Sequence, residues 1–149
     1  MRRAAQFIFG LIALLAVSGG SLARDAHDDR LAAFASEAGL HDVAGFVETT
    51  VSLRATGRLP ARYVTRDVAR RLGWRPGDDL CRVAPGKAIG GDRFANREGR
   101  LPAASGRIWR EADLDFACGK RGIRRLVWSS DGMIYVTLDH YETFRAAPP

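Results

Sequence analysis

Hydrophobic positions change their period part-way along the chain: before Lys87 they recur every three or four residues, and after it they alternate. In residues 24–41, Leu31, Phe34, Ala35 and Ala38 share one face of a short exposed helix that opens on Asp28, Asp29 and Arg30 and ends at Gly39. Acidic groups at its start favour the helix dipole, and glycine suits the exit. A second helix is predicted where Val43, Phe46, Val47, Thr50, Val51 and Arg54 recur at i, i+3 and i+4, with Gly57 and Pro60 ending it. The β-branched run from Val47 to Val51 opposes that helix. A third, in "TRDVARRLGW", takes Thr65 as N-cap, Asp67 in its first turn, Val68, Ala69 and Leu72 on its buried side and Gly73 at its close. One short helical turn is expected around Asp79 to Val83. Beyond Lys87, "AIGGDRF", "RIWREADLDF", "IRRLVWSS" and "MIYVTL" read as strands, "NREGRLPAASG" as a loop and "SSDG" as a hairpin turn. Helices first and strands second predict an α+β fold, with N-terminal helices packed on a C-terminal antiparallel β-sheet.

The first 23 residues follow neither period. Arg2 and Arg3 precede an apolar stretch from about Phe7 to Val17, and Ser21 and Ala23 supply small residues at the spacing a signal peptidase reads. The run is shorter than the roughly 20 residues that span a bilayer. Residues 1–23 are therefore taken as a leader cleaved after Ala23, and the protein as secreted. The remaining 126 residues (149 − 23) suffice for one domain and one core. Residues 42–149 carry the helix-to-strand pattern; 24–41 form a propeptide, a linker or an added helix, and the residues leave all three open.

Export changes the meaning of the two cysteines. In an oxidising compartment Cys81 and Cys118 predict one intramolecular disulfide. They are too few for a zinc site. Closing a loop of about 37 residues is worth ~4 kcal/mol by chain entropy, before strain. The formal net charge is +6, falling to +4 (6 − 2) once Arg2 and Arg3 leave, and only Lys87 and Lys120 among the cations are lysines. A basic surface suits phosphates or anionic membranes. The chain lacks the strongly amphipathic basic helix of a membrane-active protein, so no membrane partner is expected after leader removal.

Candidate chemistry sits on the strands. Alternation in "RIWREADLDF" turns Trp109, Glu111, Asp113 and Asp115 one way, and Ile108, Arg110, Ala112, Leu114 and Phe116 the other. Three carboxylates beside a tryptophan fit either a solvated sheet face or a lined groove. Arg121, Arg124 and Arg125 follow; Arg124 and Arg125 face opposite ways, so only part of this cluster shares a groove. His140 ends the last strand. A carboxylate can remove a proton, a histidine can donate one, and arginines can hold a phosphate between them. The chain has no Gly-x-Ser-x-Gly elbow, no Walker-type phosphate loop and no histidine pair at metal spacing. Neither a metal nor a cofactor is expected.

"VAPGKAIGGDRFANREGRLPAASGRIWREADLDF" and "SSDGMIYVTLDHYETF" closely resemble the barnase-like secreted guanyl-preferring ribonucleases of bacteria, and "RLPARYVTRDVARRLGW" resembles that family's second-helix region. The likeness covers roughly Val47 to Phe144. It implies metal-independent RNA cleavage 3′ of guanosine, through a 2′,3′-cyclic phosphate that is then hydrolysed. Glu111 falls on the general base for the ribose 2′-hydroxyl, His140 on the general acid for the departing 5′-oxygen, and Arg121 and Arg125 on the phosphate-binding arginines. "FANRE" falls on the guanine loop: amides near Asn96 and Arg97 would meet the base oxygen, and Glu98 would accept from the ring N–H and amino group. Phe94 and Tyr141 would frame or stack on the substrate, and Asp92 would order nearby charges.

There are departures from the family pattern. Arg66 stands where the family carries a catalytic-site lysine, a longer forked cation in place of a point charge. Ala95 replaces a serine, Gly57 and Gly132 replace a packed histidine and tryptophan, and Cys81 and Cys118 are additions. The resemblance further implies an RNA substrate, a monomer, and an acidic, barstar-like inhibitor protein whose carboxylates mimic phosphates. The competing reading is a non-catalytic basic RNA-binding or interaction module on the same fold. The intact set of Glu111, Arg121, Arg125 and His140 favours the enzyme.

Overall fold

The computed structural model describes residues 18–149. Its elements run α1 (Ser18–Ala38), α2 (Val43–Thr56), β1 (Tyr63–Val64), α3 (Arg66–Arg71), a 3-10 turn at Leu80–Arg82, β2 (Ala88–Phe94), β3 (Trp109–Asp113), β4 (Arg125–Ser129), β5 (Ile134–Thr137) and β6 (Arg145–Ala146). The class is α+β, as expected. Most of the leader, 1–23, lies outside the described residues; residues 18–23 form the first turns of α1. No helix among the described residues is long and apolar enough to cross a membrane.

α1 differs from the short exposed helix the pattern suggested. It is longer, and its apolar face is covered: Leu31 and Ala35 are fully buried, and the Phe34 ring lies 5.8 Å from that of Phe46 on α2. α2 forms despite its β-branched run. Asp42 caps it by accepting from the Gly45 amide at 2.9 Å, and Gly57 closes it at φ 69°. Each β-branched residue costs well under ~1 kcal/mol of helix propensity. Burial of Phe46 and Leu53 returns about 1.5–3 kcal/mol each, so packing decides the conformation.

α3 takes Thr65 as its cap, whose hydroxyl accepts from the Val68 amide. Leu72 is not on its buried side but 51% exposed. The helix ends one residue earlier, and the chain turns so that the Trp74 amide bonds back to the Ala69 carbonyl at 3.0 Å. The Trp74 indole then fills the space against Leu80, Ala84 and Ile89.

The sheet runs β1-β2-β3-β4-β5-β6 in order. β2 to β6 pair antiparallel, and the short edge strand β1 is parallel to β2. β1 and β6 have two residues each, too few for any alternation to show. The β4–β5 turn falls at "SSDG", with the Gly132 amide on the Ser129 carbonyl at 3.1 Å. One sheet face, carrying Ala112, Leu126 and Val136, packs under α1 and α2. The other carries Trp109 and Val127, with Phe94 at the end of β2 and Tyr141 and Phe144 of the following loop packed over it.

Cys81 and Cys118 are bonded, with Cα atoms 5.5 Å apart. Asp79 brackets the bridge by accepting from the amides of Cys81 (3.0 Å) and Gly119 (2.8 Å). The bond ties the 3-10 turn to the loop between β3 and β4. Reduction is expected to lower the unfolding free energy by about 2–4 kcal/mol, read as a fall in urea midpoint. A midpoint indifferent to reductant would show that the loop is held by its polar contacts alone.

Candidate active site

Glu111 lies mid-strand in β3, between Asp92 of β2 and Val127 of β4 in the register. Its residue is only 4% exposed. A buried carboxylate needs partners, and it has two. Arg66, at the start of α3, donates to Oε1, and the Tyr141 hydroxyl donates to Oε2 at 2.5 Å. An ionised carboxylate offers about four acceptor sites, so room remains for a substrate hydroxyl. Burial and then Glu111 push the Tyr141 phenol up to about 12; it therefore stays a donor throughout the working pH range. Asp92 orders the cation: its Oδ2 accepts from the Arg66 amide at 3.0 Å and lies 3.9 Å from the guanidinium Nε.

Asp113, on the same strand face as Glu111, is the carboxylate around which the two arginines gather. It is 2% exposed and faces Arg125 directly in register. Arg121 donates to both its oxygens, at 2.7 and 2.6 Å, and Arg125 Nε lies 3.1 Å from Oδ1. Burial alone would lower the Arg121 pKa, but the bonds to Asp113 outweigh it and the net shift is upward. Arg125 also donates to the Tyr141 hydroxyl at 3.2 Å. The chain Asp113–Arg125–Tyr141–Glu111 thus links the arginine pair to the buried carboxylate. Asp115 does not join this face. The strand ends at Asp113, Asp115 turns to φ 54°, and its carboxylate accepts from the His41 and Asp42 amides at the start of α2 and pairs with Arg124. Those amides and Arg124 hold its pKa below the usual value against the opposing effect of burial.

His140 sits in a left-handed turn at φ 58°, followed by Tyr141 at φ 75°. That turn stops the strand and presents the imidazole to solvent. Asp139 holds it, accepting from the Thr143 hydroxyl (2.5 Å), the Thr143 amide (2.9 Å) and the Thr137 hydroxyl (2.9 Å). These bonds, led by the Thr143 hydroxyl and amide, lower the Asp139 pKa from 3.8 to about 2. A lowered folded pKa means a contribution present above 3.8 and lost as pH falls through about 2. The Thr143 amide is expected to lose exchange protection in that window before the core amides of β4 do. Equal protection of the two down to pH 2 would remove Asp139 as the holder of the turn.

Glu111, His140, Arg66, Phe94 and Tyr141 border one groove of about 500 Å³, together with Asn96, Arg97 and Glu98. Arg121, Arg125 and Asp92 do not border it: Arg125 bonds to the Tyr141 hydroxyl, Arg121 to Asp113, and Asp92 to the Arg66 amide. Phe94 stacks on Tyr141 with ring centroids 5.1 Å apart. Asn96, at φ 44°, braces its loop through two bonds to the Leu101 backbone. Glu98 is held by Arg100 at 2.7 Å, and Arg100 also reaches the Glu142 carboxylate at 3.1 Å. Arg100 was not anticipated; only its neighbourhood to Glu98 in sequence hinted at it. Among the described residues, the one His/Cys/Asp/Glu group tight enough for an ion is Asp79 with Cys81 and Cys118, and those sulfurs are bonded to each other.

A buried carboxylate with two hydrogen-bond donors opens onto a basic and aromatic groove, and a family model described as ribonuclease matches residues 47–148. The chain is a member of that ribonuclease family, of the barnase-like bacterial kind. A ribonuclease of Heyndrickxia coagulans is 59% identical over 88 residues, 58% of this chain and 81% of that protein. Ribonucleases of Bacillus intermedius and Bacillus pumilus are also 59% identical over 88 residues, but there the match spans 54% of the relative, about half its length. The crystal structure of ribonuclease Sa2 with guanosine-2'-cyclophosphate is 30% identical, covering 55% of this chain and 76% of that one, at a TM-score of 0.35. An overlap that slight has no bearing on fold or base preference.

Proposed function

We propose that the protein is a secreted endoribonuclease that cleaves RNA 3′ of guanosine without a metal ion. The observation that carries this reading is Glu111: a buried carboxylate, fixed by Arg66 and Tyr141, that opens onto the same groove as the exposed His140. Glu111 takes the proton of the ribose 2′-hydroxyl, and the oxygen attacks the adjacent phosphorus. His140 protonates the departing 5′-oxygen, leaving a 2′,3′-cyclic phosphate. In the second step His140 takes a proton from water, the hydroxide opens the ring, and Glu111 returns its proton to the 2′-oxygen. Arg66, Arg121 and Arg125 oppose the charge that gathers on the phosphoryl oxygens. Of these, Arg66 is already at the groove, while the other two act from beside Asp113 and Tyr141. Glu98 and the loop amides at Asn96 and Arg97 read the guanine edge, and Phe94 and Tyr141 give the base an aromatic wall.

Export is supported by the leader pattern in 1–23 and by the disulfide, a bond typical of oxidising compartments. Secreted material should begin at Arg24; an intact Met1 in the medium would refute cleavage after Ala23. The activity test is purified protein with chelator on guanosine- and adenosine-containing dinucleotides and on DNA. Cleavage after guanosine, with a cyclic phosphate as first product and DNA untouched, is the expected result. Loss of cleavage on chelation, or equal cleavage after adenosine, would overturn the corresponding part of the proposal.

A further inference from the structure

Glu142 has no part in the chemistry described above, yet it follows His140 by two residues and borders the same groove. Its carboxylate lies 3.1 Å from Arg100 Nη1, and its backbone carbonyl accepts from the same nitrogen. On the other side of that guanidinium, Nε donates to Glu98 Oε2 at 2.7 Å. One arginine therefore joins two loops distant in sequence: the loop from Asn96 to Leu101 and the turn that presents His140. Glu98, Arg100, His140 and Glu142 all border the groove.

The backbones of both loops are held without Arg100. Asn96 bonds the amide and the carbonyl of Leu101, and the Gly99 amide bonds the Asn96 carbonyl at 3.0 Å. Asp139 holds the turn at His140. The Glu98 side chain is different. It is 71% exposed, and among the described residues Arg100 is the one group bonded to its carboxylate. A free glutamate samples several rotamers, and ordering it on binding weakens affinity. Guanine presents a ring N–H and an amino group side by side, so both Glu98 oxygens must face the base together. Each carboxylate oxygen offers about two acceptor sites, so the Arg100 bond to Oε2 leaves room for guanine on both oxygens. Exposed ion pairs add little stability one at a time. Here the arginine has a second anchor, and what it fixes is an orientation. We infer that Arg100, anchored on Glu142, presets the Glu98 carboxylate for the guanine edge, so that base preference depends on a residue of the histidine turn. Arg100 and Glu142 are positioning residues, since they act through Glu98. The inference rests on the guanine reading of Glu98 and adds the pair that makes it selective.

The test uses guanosine and adenosine, which carry no phosphate, so a contact with the base is read apart from a contact with the RNA backbone. Affinities are measured by NMR titration, and KM and kcat on a guanosine-containing dinucleotide. Arg100→Ala is expected to weaken guanosine about threefold to tenfold, the effect of leaving one rotamer-rich side chain to be ordered on binding. Adenosine should be unaffected. KM should rise by the same factor with kcat unchanged, the sign of lost binding rather than lost chemistry. Arg100→Lys should recover part of the affinity, because an ammonium keeps the charge but not the fork. Glu142→Gln should weaken guanosine about twofold in the wild type and add nothing in Arg100→Ala, as residues acting as a unit do. Glu98, Arg100 and Glu142 are all exposed, so the variants should fold with an unchanged melting temperature. Equal guanosine affinity in wild type and Arg100→Ala would overturn the inference. A KM increase with guanosine affinity unaffected would overturn it too, placing Arg100 on a phosphate. Additive losses from the two substitutions would remove Glu142 from it. Wild-type protein that binds guanosine and adenosine alike would refute the guanine reading of Glu98 and the inference with it. Guanosine selectivity that depends on Arg100, in a protein that cleaves no dinucleotide, would support the inference and refute the catalytic reading.

Discussion

Glu111→Gln and His140→Ala are each expected to lower the transesterification of a guanosine-containing dinucleotide by about 10²–10⁴-fold, the range for a positioned general base or acid. Each decade is ~1.36 kcal/mol of transition-state stabilisation. Glutamine is the sharper choice at position 111. It keeps the shape and still accepts from Tyr141, so the groove keeps its packing and only the proton acceptor is lost. Alanine would leave Arg66 and Tyr141 facing a buried void. At His140 the side chain is exposed, so truncation loses little beyond its ring contact with Tyr141, 5.0 Å between centroids. The pH profile carries the assignment. The first step needs Glu111 deprotonated and His140 protonated, so kcat/KM rises with pH on the limb that ionises Glu111 and falls on the limb that neutralises His140. Glu111→Gln should erase the acid limb and His140→Ala the alkaline limb. Near-wild-type rates in both variants, or an alkaline limb that survives loss of His140, would show that proton transfer runs through other groups.

The parts of this molecule that could be read from its sequence are those where local pattern and tertiary packing agree. β2 matches "AIGGDRF" residue for residue, and the "SSDG" turn falls where its residues demand. Alternation in β3 correctly put Glu111 and Asp113 on one face and Ala112 and Leu114 on the other. It failed at Asp115, because alternation holds only while the chain stays extended and the backbone there is left-handed. α1 was legible as an amphipathic helix but not as core, since nothing local says which surface will cover Leu31. β1 and β6 were missed because two residues have no period. The candidate site was legible as a set of residue types, aided by the family resemblance. What could not be read was how those groups hold one another: the Tyr141 bond to Glu111, the Arg100 bridge from Glu98 to Glu142, and the double use of Asp113 all join residues distant in sequence through angles that only the fold sets.

Asp113→Asn is expected to be the most destabilising polar substitution in the molecule, at about 3–5 kcal/mol, the cost of breaking a buried ion pair. Asparagine has nearly the same volume, so no cavity forms and the loss is electrostatic. The carboxylate side chain is 1% exposed and its partners Arg125 and Arg121 are 5% and 18% exposed. Without it, two guanidinium groups lie side by side with little water to screen them. Native domains have only about 5–15 kcal/mol in total, so this single change removes a large share. An exposed pair supplies the contrast. Arg70 and Asp67 are joined at 3.2 Å one helical turn apart, with side chains 53% and 75% exposed, and Asp67→Asn should cost under ~0.5 kcal/mol. Salt separates them again, since screening acts on solvated charges and little on buried ones: the Asp67 effect should vanish at 1 M salt and the Asp113 effect persist. Activity should fall with stability at Asp113, because Arg125 donates to the Tyr141 hydroxyl that in turn fixes Glu111. Urea unfolding of both variants at low and high salt, with dinucleotide cleavage measured where each is fully folded, gives the comparison. Equal small losses at the two positions would mean that burial does not decide the worth of these pairs; a folded Asp113→Asn with undiminished cleavage would mean that the relay from Asp113 to Glu111 positions nothing.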